Sequence, residues 1–260
     1  MRIPAALIAA LVLAAPPLCA QTTIWTGRSG GYTFSWTSSD IRAFTPARRP
    51  AWSARTELSK GAPDARECSE YSARVGVLSV IGTILSYDLS MGWYCEGAAH
   101  PSGFREFRAV DVSRPGVEPT LTDWFPAEEV RRALLADDIV GRALGDAGVR
   151  TPPARLDELV KLLAGTSTGC EYSFSEDLLS RFAFHHLENG RVAVRLGLSH
   201  GCEVLRGRLT QIGILLPIPE SLRGALASAA TGRGEGFLMS RQRAVSKGRQ
   251  TAMDLRPRRR

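Results

Sequence analysis

Beyond its first twenty residues the chain has no apolar run of membrane-spanning length. It contains no G-x-S-x-G, no H-E-x-x-H and no S-x-x-K, so the familiar local signatures of serine hydrolases, zinc peptidases and acyl-serine enzymes are missing. A phosphate cradle is missing too, because the glycines of RSGGYTF precede a strand pattern and not a helix. With 4 histidines and 5 cysteines, few positions can carry metal or thiol chemistry. Net charge is small where it would matter. The formal net charge is +7, but the residues from Arg241 onward carry +7 by themselves and Arg2 lies in the leader, which leaves residues 21–240 at −1. A near-neutral body offers nucleic acid no cationic face. The basic end, SRQRAVSKGRQTAMDLRPRRR, shows no sustained apolar stripe, so residues 230–260 are expected to be a disordered tail able to touch an anionic envelope polymer.

What is present begins with MRIPAALIAALVLAAPPLCAQ, one arginine followed by an apolar stretch and a small-residue exit. This reads as a secretory signal peptide over residues 1–20, cleaved after Ala20, with the product periplasmic or secreted and without a transmembrane segment. Leu18 before Cys19 fits a lipid-anchor site poorly. Removing Cys19 with the leader leaves Cys68, Cys95, Cys170 and Cys202. An even set in an exported chain reads as two disulfides, for which three connectivities exist. The nearer-neighbour pairing, Cys68–Cys95 with Cys170–Cys202, is preferred because each bond staples one stretch of chain.

Residues 21–67 read as an N-terminal strand followed by a loop or linker, since 45–67 is rich in Pro, Ala, Arg and Ser. Residues 68–229 then carry the main domain. In TILSYDLSMGWYC, Leu85, Tyr87, Leu89, Met91 and Trp93 share one face while Ser86, Asp88, Ser90 and Gly92 share the other, which describes a half-buried antiparallel strand. Residues 75–81 make its partner strand and 104–112 a third. The period then changes to helical over 126–147, with a break at Asp137-Asp138, and over 152–164, where Thr151 before two prolines suits a cap. Asn189-Gly190 in RFAFHHLENGRVAVRLGL is the favoured pair for a two-residue type I′ hairpin. A further strand over 209–216 and a short helix near 221–227 complete an α+β fold, an antiparallel sheet with helices packed on it.

Counting back from that hairpin turn sets His186 opposite Ala193 and His185 opposite Val194, on opposite sides of the sheet, with His200 about 20 Å further along at about 3.3 Å per residue. Without a bulge these histidines cannot share one ion, so no metal site, no cofactor and no catalytic residue is assigned. The remaining candidate is the run WYCEGAAHPSGF. Its loop residues Glu96, Gly97, His100, Pro101, Ser102 and Gly103 form the expected contact surface, supported by Trp93 and Tyr94. The proline holds His100 extended, and the small neighbours let a partner approach closely. Two other readings use the same chain: a cell-wall glycan hydrolase pairing His100 with Glu96, or an envelope scaffolding protein docking through its basic tail.

The combination of Gly97, Ala98 or Ala99, His100 and Pro101 with Leu121-Thr122-Asp123-Trp124-Phe125, then Phe182 to Gly201 and Ile218-Pro219-Glu220 with Leu222, resembles the extracellular domain of RsiV-type lysozyme-sensing anti-sigma factors. The same domain type also stands beside some peptidoglycan deacetylase domains. The similarity spans residues 69–229. It implies a rigid sheet whose loops bind a protein partner, with lysozyme the family's example. The chain departs from the family's Gly-Gly-Ala-His-Pro by one small residue, and its cysteines lie outside the family pattern.

Overall fold

The computed structural model describes residues 21–60, 68–166, 171–199, 210–233, 235–240 and 249–255. Cys170, His200, Cys202 and the terminal RPRRR lie outside them, as does the leader. The fold is α+β, as the periodicities imply, with three antiparallel sheets and five α-helices among the described residues.

The central sheet is built on one long hairpin. β5 (Cys68–Ile81) turns at Gly82 into β6 (Ile84–Cys95), and β7 (Ser102–Asp111) pairs on the far side of β6. The expected alternation holds, because Leu85, Tyr87, Leu89 and Met91 are buried in one cluster with Val75, Val77 and Val80. The opposite face differs from expectation. Ser86 and Asp88 are also buried, so β6 is covered on both sides and is not a half-buried strand. Asp88 survives there because Arg105 grips it with two hydrogen bonds, Nε to Oδ1 at 3.0 Å and Nη2 to Oδ2 at 2.5 Å. A buried carboxylate without such a partner would be strongly destabilising.

The covering layer on the first face is a second sheet of β1 (Thr23–Ser29), β2 (Tyr32–Thr37), β3 (Ile41–Phe44) and β4 (Pro50–Ser53), followed by α1 (Ala54–Lys60). Phe34, Trp36, Ile41 and Trp52 join the core of β5 and β6. Residues 21–60 are therefore a structural layer with four strands. The expected linker character of 45–60 is corrected by β4 and α1, whose Trp52, Ala54 and Leu58 are buried.

The expectation of a disordered tail is corrected as well. β11 (Phe237–Leu238) and β12 (Thr251–Asp254) both pair with β5. Thr251, Met253 and Leu255 face inward while Ala252 and Asp254 are exposed. The Trp36 indole N–H donates to the Thr251 hydroxyl at 3.1 Å, and that hydroxyl in turn donates to the Thr37 carbonyl. The chain end thus ties the first sheet to the central one.

The second face of the central sheet meets a third sheet of β8 (Phe182–Glu188), β9 (Arg191–Leu198) and β10 (Thr210–Pro217). The Phe184 amide donates to Ser86 Oγ at 3.2 Å. Helices α2 (Ala127–Leu135), α3 (Asp138–Asp146), α4 (Leu156–Ala164) and α5 (Arg223–Ala230) share a core with this sheet. The break at Asp137 is an N-cap, its carboxylate accepting the Ile139 and Val140 amides. α4 begins after Arg155, later than Thr151, because Pro152 and Pro153 precede its first turn without entering it. None of the described helices is long and apolar enough to cross a membrane.

Candidate functional site

The run that carried the sequence argument forms the β6–β7 connection. Cys95 ends β6 and is bonded to Cys68, the first residue of β5. The bond therefore closes the open end of the β5–β6 hairpin at the base of the 96–101 tip. Cys170 and Cys202, expected as the second pair, lie outside the described residues. Within the tip, the Ala98 amide donates to the Cys95 carbonyl at 3.1 Å, a turn that requires Gly97 at φ 82°. Glu96, Gly97, His100 and Pro101 are exposed. Ser102 and Gly103 belong to β7 and are half-buried, so only part of the expected surface projects.

The strand below is shaped to hold this tip. Gly103 stands opposite Gly92, and a Cβ on Gly103 would lie 2.5 Å from the Met91 carbonyl oxygen. The two strands close on each other only because this position has no side chain. One residue further on each strand, Trp93 lies 6.0 Å from the Phe104 ring and 6.4 Å from Tyr71. The disulfide and this aromatic cluster both lie at the end of β6 from which the loop departs.

The hairpin histidines are arranged differently from the simple count. Asn189 and Gly190 take positive φ (50° and 71°), the type I′ geometry, and His186 pairs with Ala193. A bulge between Phe184 and His186 then inserts His185, so Val194 faces Phe184. The bulge brings the two imidazoles to the same place: Nδ1 of His185 lies 2.8 Å from Nδ1 of His186, and His186 Nε2 lies 3.3 Å from Glu188. Burial, with Arg195 and His186 adding positive charge, pulls the His185 pKa down from 6.5 to about 3. His185 is thus a neutral, hydrogen-bonded core residue. Among the described residues no group of three metal-ligating side chains converges.

Among the described residues two concavities lie elsewhere, and neither is lined by residues 96–103. One, of about 430 Å³, runs between α2 and β10 past Arg132, Asp137 and Gly213. The other, of about 240 Å³, sits where Trp52 of β4 meets Tyr87, Arg108 and the 114–119 loop. Sequence reasoning missed both because each joins elements distant in the chain.

Set against known proteins, the chain matches no family model, no curated protein and no solved structure.

Proposed function

We propose that the chain is an exported, non-catalytic recognition domain of the cell envelope that presents the 96–101 tip to a protein partner. The observation that carries this reading is the tip itself: exposed small and polar residues leaving the end of β6 at which the Cys68–Cys95 bond and the Trp93, Phe104 and Tyr71 rings lie. A loop ordered before binding loses little conformational freedom on binding, which raises affinity for a given contact area. The likeness of the Gly-Ala-Ala-His-Pro run to the RsiV-type domain supports a lysozyme-like or other cell-wall-associated partner. The leader at residues 1–20 and the paired cysteines support an oxidising compartment.

The second disulfide belongs to the same proposal. Ser173 and Ser199 form an antiparallel bridge with hydrogen bonds of 2.7 and 3.0 Å in both directions. Counting three residues outward from that bridge on each side reaches Cys170 and Cys202. Peptide mapping of unreduced protein should recover that pair as one linked fragment and Cys68–Cys95 as another. A free thiol at either position contradicts it.

The functional test is retention of purified residues 21–260 on immobilised lysozyme, together with inhibition of its cell-wall lysis. The reading predicts retention that Glu96→Lys with His100→Ala reduces by about tenfold or more, the cost of losing one or two central contacts. Retention unchanged by those substitutions, or no retention by any lysozyme, contradicts the lysozyme reading.

A further inference from the structure

We infer that the outer edge of β10, with Arg195 and Arg191 beside it, is a docking site for an extended acidic segment of a partner protein, added as a further strand of the third sheet. The site is separate from the hairpin tip, and either reading can fail alone.

The backbone sets the first requirement. β10 pairs with β9 alone, and among the described residues no strand meets its far side. On the other side of β9, the Gly197 amide donates to the Arg181 carbonyl, just before β8, at 3.0 Å. Backbone groups alternate in direction along a strand, so Val194, Leu196 and Leu198 point theirs at β10. Their register partners Ile214, Ile212 and Thr210 complete those pairs. Gln211, Gly213 and Leu215 therefore turn their N–H and C=O groups outward. The strand reads TQIGILLP: it carries no charge, and its one proline is the last position, so the usual guards of an exposed edge are missing from it. α2 stands beside the edge across the concavity of about 430 Å³, which leaves room for an added chain.

Charge sets the second requirement. Arg191 and Arg195 lie on one face of β9, and their register partners on β10 are Pro217 and Gly213. Arg195 Nε is buried and has no hydrogen-bond partner among the described residues. Burial alone acts on this guanidinium, lowering its pKa, and no carboxylate offsets it. It nevertheless keeps its charge at neutral pH. A half-buried cation without a counter-ion is costly and calls for one. His185, within electrostatic reach of Arg195, is neutral and supplies none. In the neighbouring concavity Glu129 pairs with Arg132 at 3.3 Å and Asp137 caps α3, so neither neutralises Arg195. Arg191 is exposed and makes no ion pair among the described residues.

Gly213 joins the two requirements. It stands beside Arg195, and a Cβ placed on it would meet nothing within 4 Å. Neighbouring strands lie about 4.8 Å apart, so a strand added outside β10 runs about 10 Å from β9. Only the glycine backbone separates Arg195 from the added residue opposite Gly213. A glutamate there reaches the guanidinium across the gap and forms the paired, charge-assisted hydrogen bonds that arginine makes with carboxylates. A second copy of this chain is the poorer occupant. Antiparallel pairing of β10 with another β10 would gather the uncompensated guanidinia of both chains on one face, and the strand itself brings no acid to them.

The test is titration of isotope-labelled protein spanning residues 21–260, read by amide shifts, with three capped peptides. One alternates glutamate and valine, one carries lysine in place of glutamate, and one is the acidic peptide with its backbone fully N-methylated. The inference predicts that the acidic peptide binds with a Kd of about 10–500 μM and shifts Gln211, Gly213 and Leu215. The lysine peptide should bind at least about tenfold more weakly, and N-methylation, which removes the strand-pairing donors, should abolish binding. Arg195→Gln should weaken the acidic peptide by about tenfold and leave the thermal midpoint equal or higher, because it removes an uncompensated charge. Gly213→Val, which fills the gap, should weaken it as well. No binding at about 1 mM acidic peptide, equal affinity for either control peptide, shifts confined to other residues, or wild-type affinity in both variants overturns the inference. Concentration-dependent shifts of the same amides without peptide would assign the edge to a second copy and overturn it too.

Discussion

The Cys68–Cys95 bond is the most economical place to perturb this molecule, because it joins the ends of a hairpin and sits beneath the proposed contact surface. The two cysteines are separated by 27 residues. Closing a loop of that length removes conformational freedom from the unfolded chain equivalent to about 3.5 kcal/mol at 25 °C on the chain-entropy relation. The double variant Cys68→Ala, Cys95→Ala leaves the remaining strand pairing of β5 with β6, from Glu70–Tyr94 to Ile81–Ile84, in place. Its unfolding free energy should therefore fall by about 2–4 kcal/mol while the slope with urea stays nearly constant. Urea titration followed by tryptophan fluorescence and far-ultraviolet circular dichroism reads both quantities. Amide exchange at 96–101 should quicken by more than in the β8–β9 hairpin, because the staple acts locally in the folded state. Partner affinity should drop mainly through faster dissociation. A stability change below about 0.5 kcal/mol, or a loop whose exchange is unaltered, would show that the staple does not order the tip.

Three further perturbations probe the rest of the fold. Gly30→Ala sets a Cβ 2.6 Å from the Gly82 carbonyl carbon at φ 56°, where the β1–β2 and β5–β6 turns touch; a loss above about 2 kcal/mol in thermal unfolding is expected, and a neutral change would mean the first sheet is not docked there. Truncation after Gln250 removes the buried Thr251, Met253 and Leu255 and should cost at least about 4 kcal/mol, so a truncated protein with unchanged denaturant midpoint would contradict the placement of β12. For His185 the folded pKa lies near 3 and the ordinary value near 6.5, so between them the unfolded chain binds a proton that the folded one lacks. Stability must then fall as pH drops through that window, and His185→Gln should flatten the slope; an unflattened slope would assign acid sensitivity to other groups.

The parts of this fold legible in the sequence are those set by local period. The alternation of Leu85, Tyr87, Leu89 and Met91 placed their shared face correctly, and Asn189-Gly190 fixed the β8–β9 turn. What could not be read locally was the second face of β6, because Ser86 and Asp88 look solvated until a third sheet and Arg105 cover them. One inserted residue undid the histidine count: a bulge at His185 carries no composition signal, yet it moves an imidazole across the sheet. The C-terminal strand had a signal that its surroundings obscured. T-A-M-D-L alternates over five residues, but the arginines on both sides made the whole segment read as a solvated tail. At the candidate tip the sequence supplied the connection between two strands. The close approach of Gly103 to Met91 emerges only when β6 and β7 are laid side by side.

The docking role of the tip can be examined with a photo-crosslinking residue placed at His100, and separately at exposed Arg142 on α3, in protein mixed with lysozyme. The account predicts a covalent adduct from position 100 that excess unlabelled protein competes away, and none from position 142. Equal labelling from both positions, or labelling from 142 alone, would contradict it.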